Sequence, residues 1–373
     1  MNTKAVNRLI KEGSIATDVN FGLELKIKDS VFKPGIVRVH LPVPVNAEQL
    51  KEGQICDFDP VFRIVSVEDY PQRSAFFDEK LEKNRTFYIE MAFTNEMKYI
   101  APNMELADNA KQKGFPKEQL EAYSAGEHCG CESYTVLARD AVSIMDLCSE
   151  RYFEFTEVRR KVLNEIMVQG GTDSDSEKNG TKLKLIYDFC TSDEFEKVYK
   201  NCNESVNGEE KTVAGGSAGY VNGNGEFDRN IEFIALCRMA HIPARWQGGM
   251  YPDFENEKNE FLIKPGKCES LENAEGSENI YHDWACVYLA PYGWIFADCV
   301  CGTKYRDYRD YFLGNIDPYL IPTGTKFGGS LYPAKDYKRA DELYNVRGEV
   351  ELVAEDRGLK ADEFETKLIL IKQ

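Results

Sequence analysis

Between residues 21 and 100 apolar and polar side chains alternate along the chain. Phe21-Gly22-Leu23-Glu24-Leu25-Lys26-Ile27 does so strictly, and Val37–Pro44, Phe62–Val67 and Arg85–Phe93 follow, with turn residues between them. A period of two places every second side chain on one face, so these segments predict strands of a small antiparallel sheet or sandwich. The pattern then lapses: residues 101–135 are polar, irregular and Gly-containing, and read as a linker or long loop. Helical patterning predicts helices over about 136–168 and 180–200, divided by the loop Gln169–Ser176. Residues 203–225 are rich in Gly, Asn and Ser. Beyond them Ile231, Ile234, Ala235 and Arg238 recur at helical spacing, and Pro243 closes that helix. His282–Leu289 and Gly293–Asp298 flank Ala290-Pro291-Tyr292-Gly293, which predicts two antiparallel strands and a hairpin turn. Between them and the helix runs Pro252–Glu278, polar and acidic, which reads as a solvated insertion or a substrate-selecting lid. No internal repeat is visible.

Composition narrows what such a chain can do. At 373 residues it can bury a large core and suggests two domains, or one large domain with an appendage. The net charge of −17 argues against nucleic acid or an anionic membrane face as partner, since both need clustered Lys and Arg. No apolar h-region follows Met1, and no run of eighteen apolar residues occurs, so neither a leader nor a membrane span is expected. Eleven scattered cysteines, an odd number, fit reduced thiols and a cytoplasmic location better than a disulfide framework.

The candidate chemistry centres on His282 and Asp298. A His opening one strand and an Asp ending the next can face each other across the ladder, where a carboxylate fixes the imidazole tautomer and stabilises its protonated form. The helix, the Ile242-Pro243-Ala244-Arg245 run, the His282-Asp283-Trp284 strand, the hairpin and Gly293-Trp294 to Asp298 resemble, in order and spacing, the transglutaminase-like superfamily with its papain-like Cys-His-Asp arrangement. The resemblance implies an α+β fold: a core of helices packed on an antiparallel sheet, preceded by an all-β N-terminal domain, as in bacterial members. It spans roughly residues 140–355, and Tyr311–Pro318 and Gly348–Leu352 resemble the tail of those members. The expected organisation is a sandwich-like domain at 1–110, a linker at 111–140, the core at 141–355 and a C-terminal strand or tail at 356–373.

In that family the nucleophilic Cys opens the helix, nineteen residues before the Arg of Pro-Ala-Arg. Here that position is Glu226, and no Cys lies within ten residues of it. Arg238 falls where the family carries its helix Arg, which supports the frame. The resemblance thus implies a scaffold without its thiol. Glu226 would be the acidic partner of a His282–Asp298 dyad, suited to isomerisation, elimination, cyclisation or hydrolysis of a small-molecule or amide-containing, peptide-like substrate, with no cofactor and no metal. Glu226 could also simply start a helix, because carboxylates are favoured there. Asp228 is a second acid that could compete for the role. Tyr220, Trp246, Tyr251, Tyr281 and Trp284 border the matched segments and could line a pocket.

Two other readings stand beside this one: a catalytically inactive scaffold that binds a peptide or protein, and a cysteine-type amidase or protease with a relocated thiol. Candidate thiols are His128-Cys129-Gly130-Cys131 and Cys299-Val300-Cys301, each of which could also bind a soft metal with ligands from elsewhere. Gly215-Gly216-Ser217-Ala218-Gly219 and Gly248-Gly249 lack a Walker lysine and a dinucleotide-fold context, and read as turns.

Overall fold

The computed structural model describes residues 1–44, 50–51, 55–59, 63–66, 73–110, 150–198, 229–251, 258–264, 267–270, 281–324, 349–353, 357–360 and 362–372. Its helices are α1 (Thr3–Glu12), α2 (Met104–Asn109), α3 (Glu150–Gln169), α4 (Asn179–Cys190), α5 (Arg229–Met239) and α6 (Cys299–Lys304), with a further helical stretch at 193–198 and a 3₁₀ helix over Arg306–Phe312. The strands of the first hundred residues are β1 (Ser14–Ile27), β2 (Gly35–Pro42), β3 (Leu50–Lys51), β4 (Ile55–Asp59), β5 (Arg63–Ser66), β6 (Arg73–Leu81) and β7 (Thr86–Lys98). Then come β8 (Ala244–Met250), β9 (Lys258–Lys264), β10 (Lys267–Ser270), β11 (Tyr281–Leu289), β12 (Gly293–Ala297), β13 (Leu313–Gly314) and β14 (Ile321–Gly324). The last three are β15 (Glu349–Leu352), β16 (Arg357–Gly358) and β17 (Phe364–Lys372). The fold is α+β. No helix among the described residues is long and apolar enough to cross a membrane.

Contacts divide the chain into two compact units. One comprises Met1–Tyr99, Gln247–His282 and Asp317–Gln373; the other comprises Ile100–Trp246 and Asp283–Ile316. The first unit is built on two antiparallel sheets. One has the order β10-β9-β17-β1-β7-β3, with β4 also on β7; the other runs β16-β15-β2-β6-β5. Period-two burial is the cause. Phe21, Leu23, Leu25 and Ile27 of β1 and Phe87, Ile89, Met91 and Phe93 of β7 bury alternate positions in one apolar cluster with Val37, Val39 and Leu41 of β2 and Phe77 of β6. Burying such residues contributes about 1.5–3 kcal/mol each.

The N-terminal helix was not predicted by the pattern. Asn2 caps it by accepting the Ala5 N–H at 3.1 Å, and Gly13, at φ 79°, closes it. The insertion Pro252–Glu278 is also corrected. It carries β9, which pairs with β17 from Lys258↔Ile371 to Ile263↔Thr366, and β10, which pairs with β9; these stretches are sheet rather than a lid. Residues 252–257, 265–266 and 271–280 lie outside the described residues.

The second unit holds α2 to α6. Of the helix expected over 136–168, Glu150–Gln169 is observed; 111–149, with Cys129, Cys131 and Cys148, lie outside the described residues. It ends in a Schellman arrangement: Thr172 N–H donates to Met167 O at 3.0 Å and Gly171, at φ 67°, donates to Val168 O. The helix expected over 180–200 stops at Cys190. Thr191 and Ser192 turn their hydroxyls onto Tyr187 O and Phe189 O at 2.8 Å, and Ser192 Oγ then accepts the Glu194 N–H as a new helical stretch begins. The hairpin of interest, β11 and β12, continues to β13, which pairs with β12 at Phe296↔Gly314 and Ala297↔Leu313.

Candidate active site

Helix α5 ends as the apolar spacing and Pro243 require. Ile242 N–H donates to Cys237 O at 2.8 Å and His241 N–H to Arg238 O at 3.0 Å, a Schellman motif in which His241, at φ 59°, takes the position usually held by Gly. Arg238 Nε donates to Ala244 O at 2.7 Å and so fixes the exit of the helix to the start of β8. The guanidinium of Arg245 lies over the ring of Trp294, 4.8 Å from its centre.

The hairpin forms as read. β11 and β12 pair in register from Leu289↔Gly293 to Ala285↔Ala297, around a turn closed by Tyr292 N–H donating to Leu289 O. Tyr288 and Trp294 are partners in that register and meet edge to face at 5.8 Å. The same face therefore carries His282, Trp284, Cys286 and Tyr288 on β11 and Trp294 and Phe296 on β12, with Asp298 one step beyond Ala297. The paired rungs end at Ala285↔Ala297, and His282 and Asp298 lie just beyond them. β11 is continuous through His282 and Asp283, where the two units meet in sequence.

The side chains realise this proximity. A ring nitrogen of His282, a carboxylate oxygen of Asp298 and the sulfur of Cys301 all lie within 4.8 Å of one another. Asp298 is 0 % exposed, whereas His282 and Cys301 are half-buried. Asp298 also starts α6: its Oδ1 accepts the Cys301 N–H at 2.9 Å, while its own N–H donates to Phe312 O at 3.0 Å. The cap explains why the thiol is there, because an Asp at the N-cap draws the third residue of the helix over itself. Imidazole, carboxylate and thiol are also a donor set of the kind that accepts Zn²⁺.

Cys299 differs from Cys301. It is fully buried, and burial first, then its hydrogen bond with Cys190, push its thiol well above its ordinary pKa, so it is a neutral core thiol. Cys237 is likewise buried and raised by desolvation.

Of the sequence-predicted residues, His282 and Asp298 are brought together. Glu226, Asp228 and Tyr220 lie outside the described residues, as do the side chains of Trp246 and Tyr281. Trp284 is 0 % exposed and fills the core, so it does not line an open pocket. Tyr251 is half-buried and hydrogen-bonds Asp317.

Of the Cys299-Val300-Cys301 candidate thiols, Cys301 is the one at the site; its signal is the three-residue step from Asp298, the spacing of an N-cap to the residue above it. A second residue, Asn230, was not among the candidates. Asn230, 0 % exposed, donates through Nδ2 to Asp283 O at 2.8 Å and accepts from Cys299 N–H at 2.7 Å. Its signal is an amide four residues after Glu226, between Arg229 and the run that opens at Ile231.

Residues 174–299 match the family model of the transglutaminase-like superfamily, a span that includes Glu226, His282 and Asp298 and stops short of Cys301. No curated protein matches the sequence. Among solved structures, one described as a candidate cysteine protease from Cytophaga hutchinsonii aligns over 96% of this chain and 98% of its own, at 13% identity and a TM-score of 0.38.

Proposed function

We propose, from the premise that residues 174–299 form a core of the transglutaminase-like superfamily, that this protein is an enzyme acting on a peptide-like or amide-containing substrate. His282 is the group that moves the proton, and Asp298 is the carboxylate that orients it. The observation that carries the reading is the approach of His282 to a fully buried Asp298 on one face of the hairpin. A carboxylate out of water is costly unless hydrogen-bonded or paired, and a neighbouring imidazole gains most where the dielectric is low. Asp298 is the group placed to select which ring nitrogen carries the proton.

Glu226, at the position the family reserves for its Cys, is the second acid–base group of this reading. Proton transfer between a carboxyl and an imidazole suffices for isomerisation, elimination, cyclisation or activation of water. A second reading follows from Cys301. A half-buried thiol within 4.8 Å of the imidazole can lose its proton to it and attack an amide carbonyl, releasing the amine and leaving an acyl-thioester for water to hydrolyse.

One experiment separates the two. Wild type, His282→Ala, Glu226→Gln and Cys301→Ala are each incubated with a mixed panel of peptides and small amides. Mass spectrometry with chromatography reads loss of ammonia, loss or gain of water, and isomer formation. His282→Ala should lower turnover about 10²–10⁴-fold. Loss in Glu226→Gln with Cys301→Ala unaffected supports the carboxyl mechanism; the reverse pattern supports the thiol. Turnover by His282→Ala equal to wild type removes both.

A further inference from the structure

We infer that Asn230 is a positioning residue for the His282–Asp298 couple, its one side-chain amide bridging the two backbone segments that hold them. The inference rests on the reading of that couple given above. Asp283 follows His282 in the chain and Cys299 follows Asp298, and Asn230 binds both: Nδ2–H to Asp283 O at 2.8 Å, and Oδ1 to the Cys299 N–H at 2.7 Å. The rungs between β11 and β12 run only as far as Ala285↔Ala297. Both bonds to Asn230 lie beyond that rung, where His282 and Asp298 sit. The amide thus acts as an added rung, supplied by a helix and placed at the end of the hairpin that carries the chemistry.

The residue type suits the task. Bridging a carbonyl and an N–H through one buried side chain needs a donor and an acceptor in one short planar group, which Asn offers. An ionised Asp accepts only, and Leu has similar bulk with neither function. The platform is also fixed. Next to Asn230, Arg229 donates to Cys190 O at 2.6 Å, to Ser192 O at 3.1 Å and to Glu196 at 2.6 Å. Two residues on, Glu232 accepts a bidentate pair of bonds from Arg159, the Nε one at 2.7 Å. The start of α5 is therefore anchored on its far side while Asn230 reaches the hairpin on the other. Catalytic groups need placement to within about 0.5 Å, which only a locked supporting residue provides.

The test reads His282 directly and needs no substrate. The chain has four histidines: His40, His128, His241 and His282. With ¹⁵N-labelled histidine, the ring nitrogens of wild-type His282 should give two well-separated resonances, those of one dominant tautomer. Asn230→Leu should draw them toward the averaged pair of an unconstrained imidazole and leave His40 and His241 unchanged. Asn230→Asp, which keeps the acceptor and loses the donor, should do so in part and covers the case in which the Leu variant does not fold. Ile234→Val, in the same helix and equally buried, trims the core without cutting the bridge and should leave the His282 resonances as in wild type. Unchanged His282 tautomers in both Asn230 variants, or the same change in Ile234→Val, overturn the inference. Full activity in His282→Ala would remove the functional reading and leave this structural coupling intact, so the two failures are distinguishable.

Discussion

At the residue scale, the ordering of the second unit rests on charges drawn out of water in pairs. Arg159 and Glu232 are 5% and 0% exposed and joined by two hydrogen bonds, which ties α3 to the helix that carries Asn230. Removing one partner leaves the other charge buried and uncompensated. Arg159→Ala or Glu232→Ala should each lower unfolding free energy by about 3–5 kcal/mol. Urea denaturation checks this, with a midpoint within error of wild type as the contrary result. Lys182 is a different solution to the same problem. It is 1% exposed, and its ammonium donates to Ala240 O at 2.6 Å and Ser174 O at 3.0 Å, which satisfies a carbonyl at the end of α5. Desolvation lowers its pKa, with Asp175 and Asp173 pulling the other way.

At the element scale, the ends of helices and strands are held by side chains remote in sequence. Asp317 accepts the Asn2 N–H at 2.8 Å and the Tyr319 N–H at 3.1 Å, and so ties the start of α1 to the turn before β14. Burial raises its carboxyl pKa above the ordinary 3.8, against the pull of the bonds from Tyr319, Asn2 and Tyr251. Between 3.8 and the raised value the folded chain holds a proton that the unfolded chain has released. The stability contributed by this group is therefore full below 3.8 and lost as pH rises through the folded pKa. Wild type compared with Asp317→Asn in urea melts across that range should show a difference that declines with rising pH and then levels. A difference that grows with pH would mean that the donors outweigh burial.

At the scale of the whole molecule, the sandwich closes through its last strand. β17 lies between β1 and β9, paired with β1 from Val19↔Lys372 to Ile27↔Phe364, and buries Phe364, Leu368 and Leu370. A chain truncated before Phe364 should lose the cooperative thermal transition of this unit by circular dichroism, since β1 then presents an unpaired apolar edge. Retention of that transition would show the sandwich to be complete without its final strand.

Local periodicity determined much of this protein: the alternating strands β1, β2 and β7, the helix ending before Pro243, and the hairpin after His282. Each is set by neighbours a few residues apart, and period, turn chemistry and caps are written in the chain itself. It fell short where burial abolishes the pattern. β6 places the adjacent Phe76 and Phe77 both at 4% exposure, one on each face, so no alternation announced it. The polar Thr17, Asp18 and Asn20 concealed the first half of β1. Tertiary structure alone decided that β17 returns to β1, that part of an acidic insertion becomes sheet, that Cys301 comes within reach of His282, and that Asn230 spans the hairpin's end. Those arrangements join residues tens to hundreds of positions apart, and only the burial of apolar faces and the pairing of buried polar groups choose among the partners.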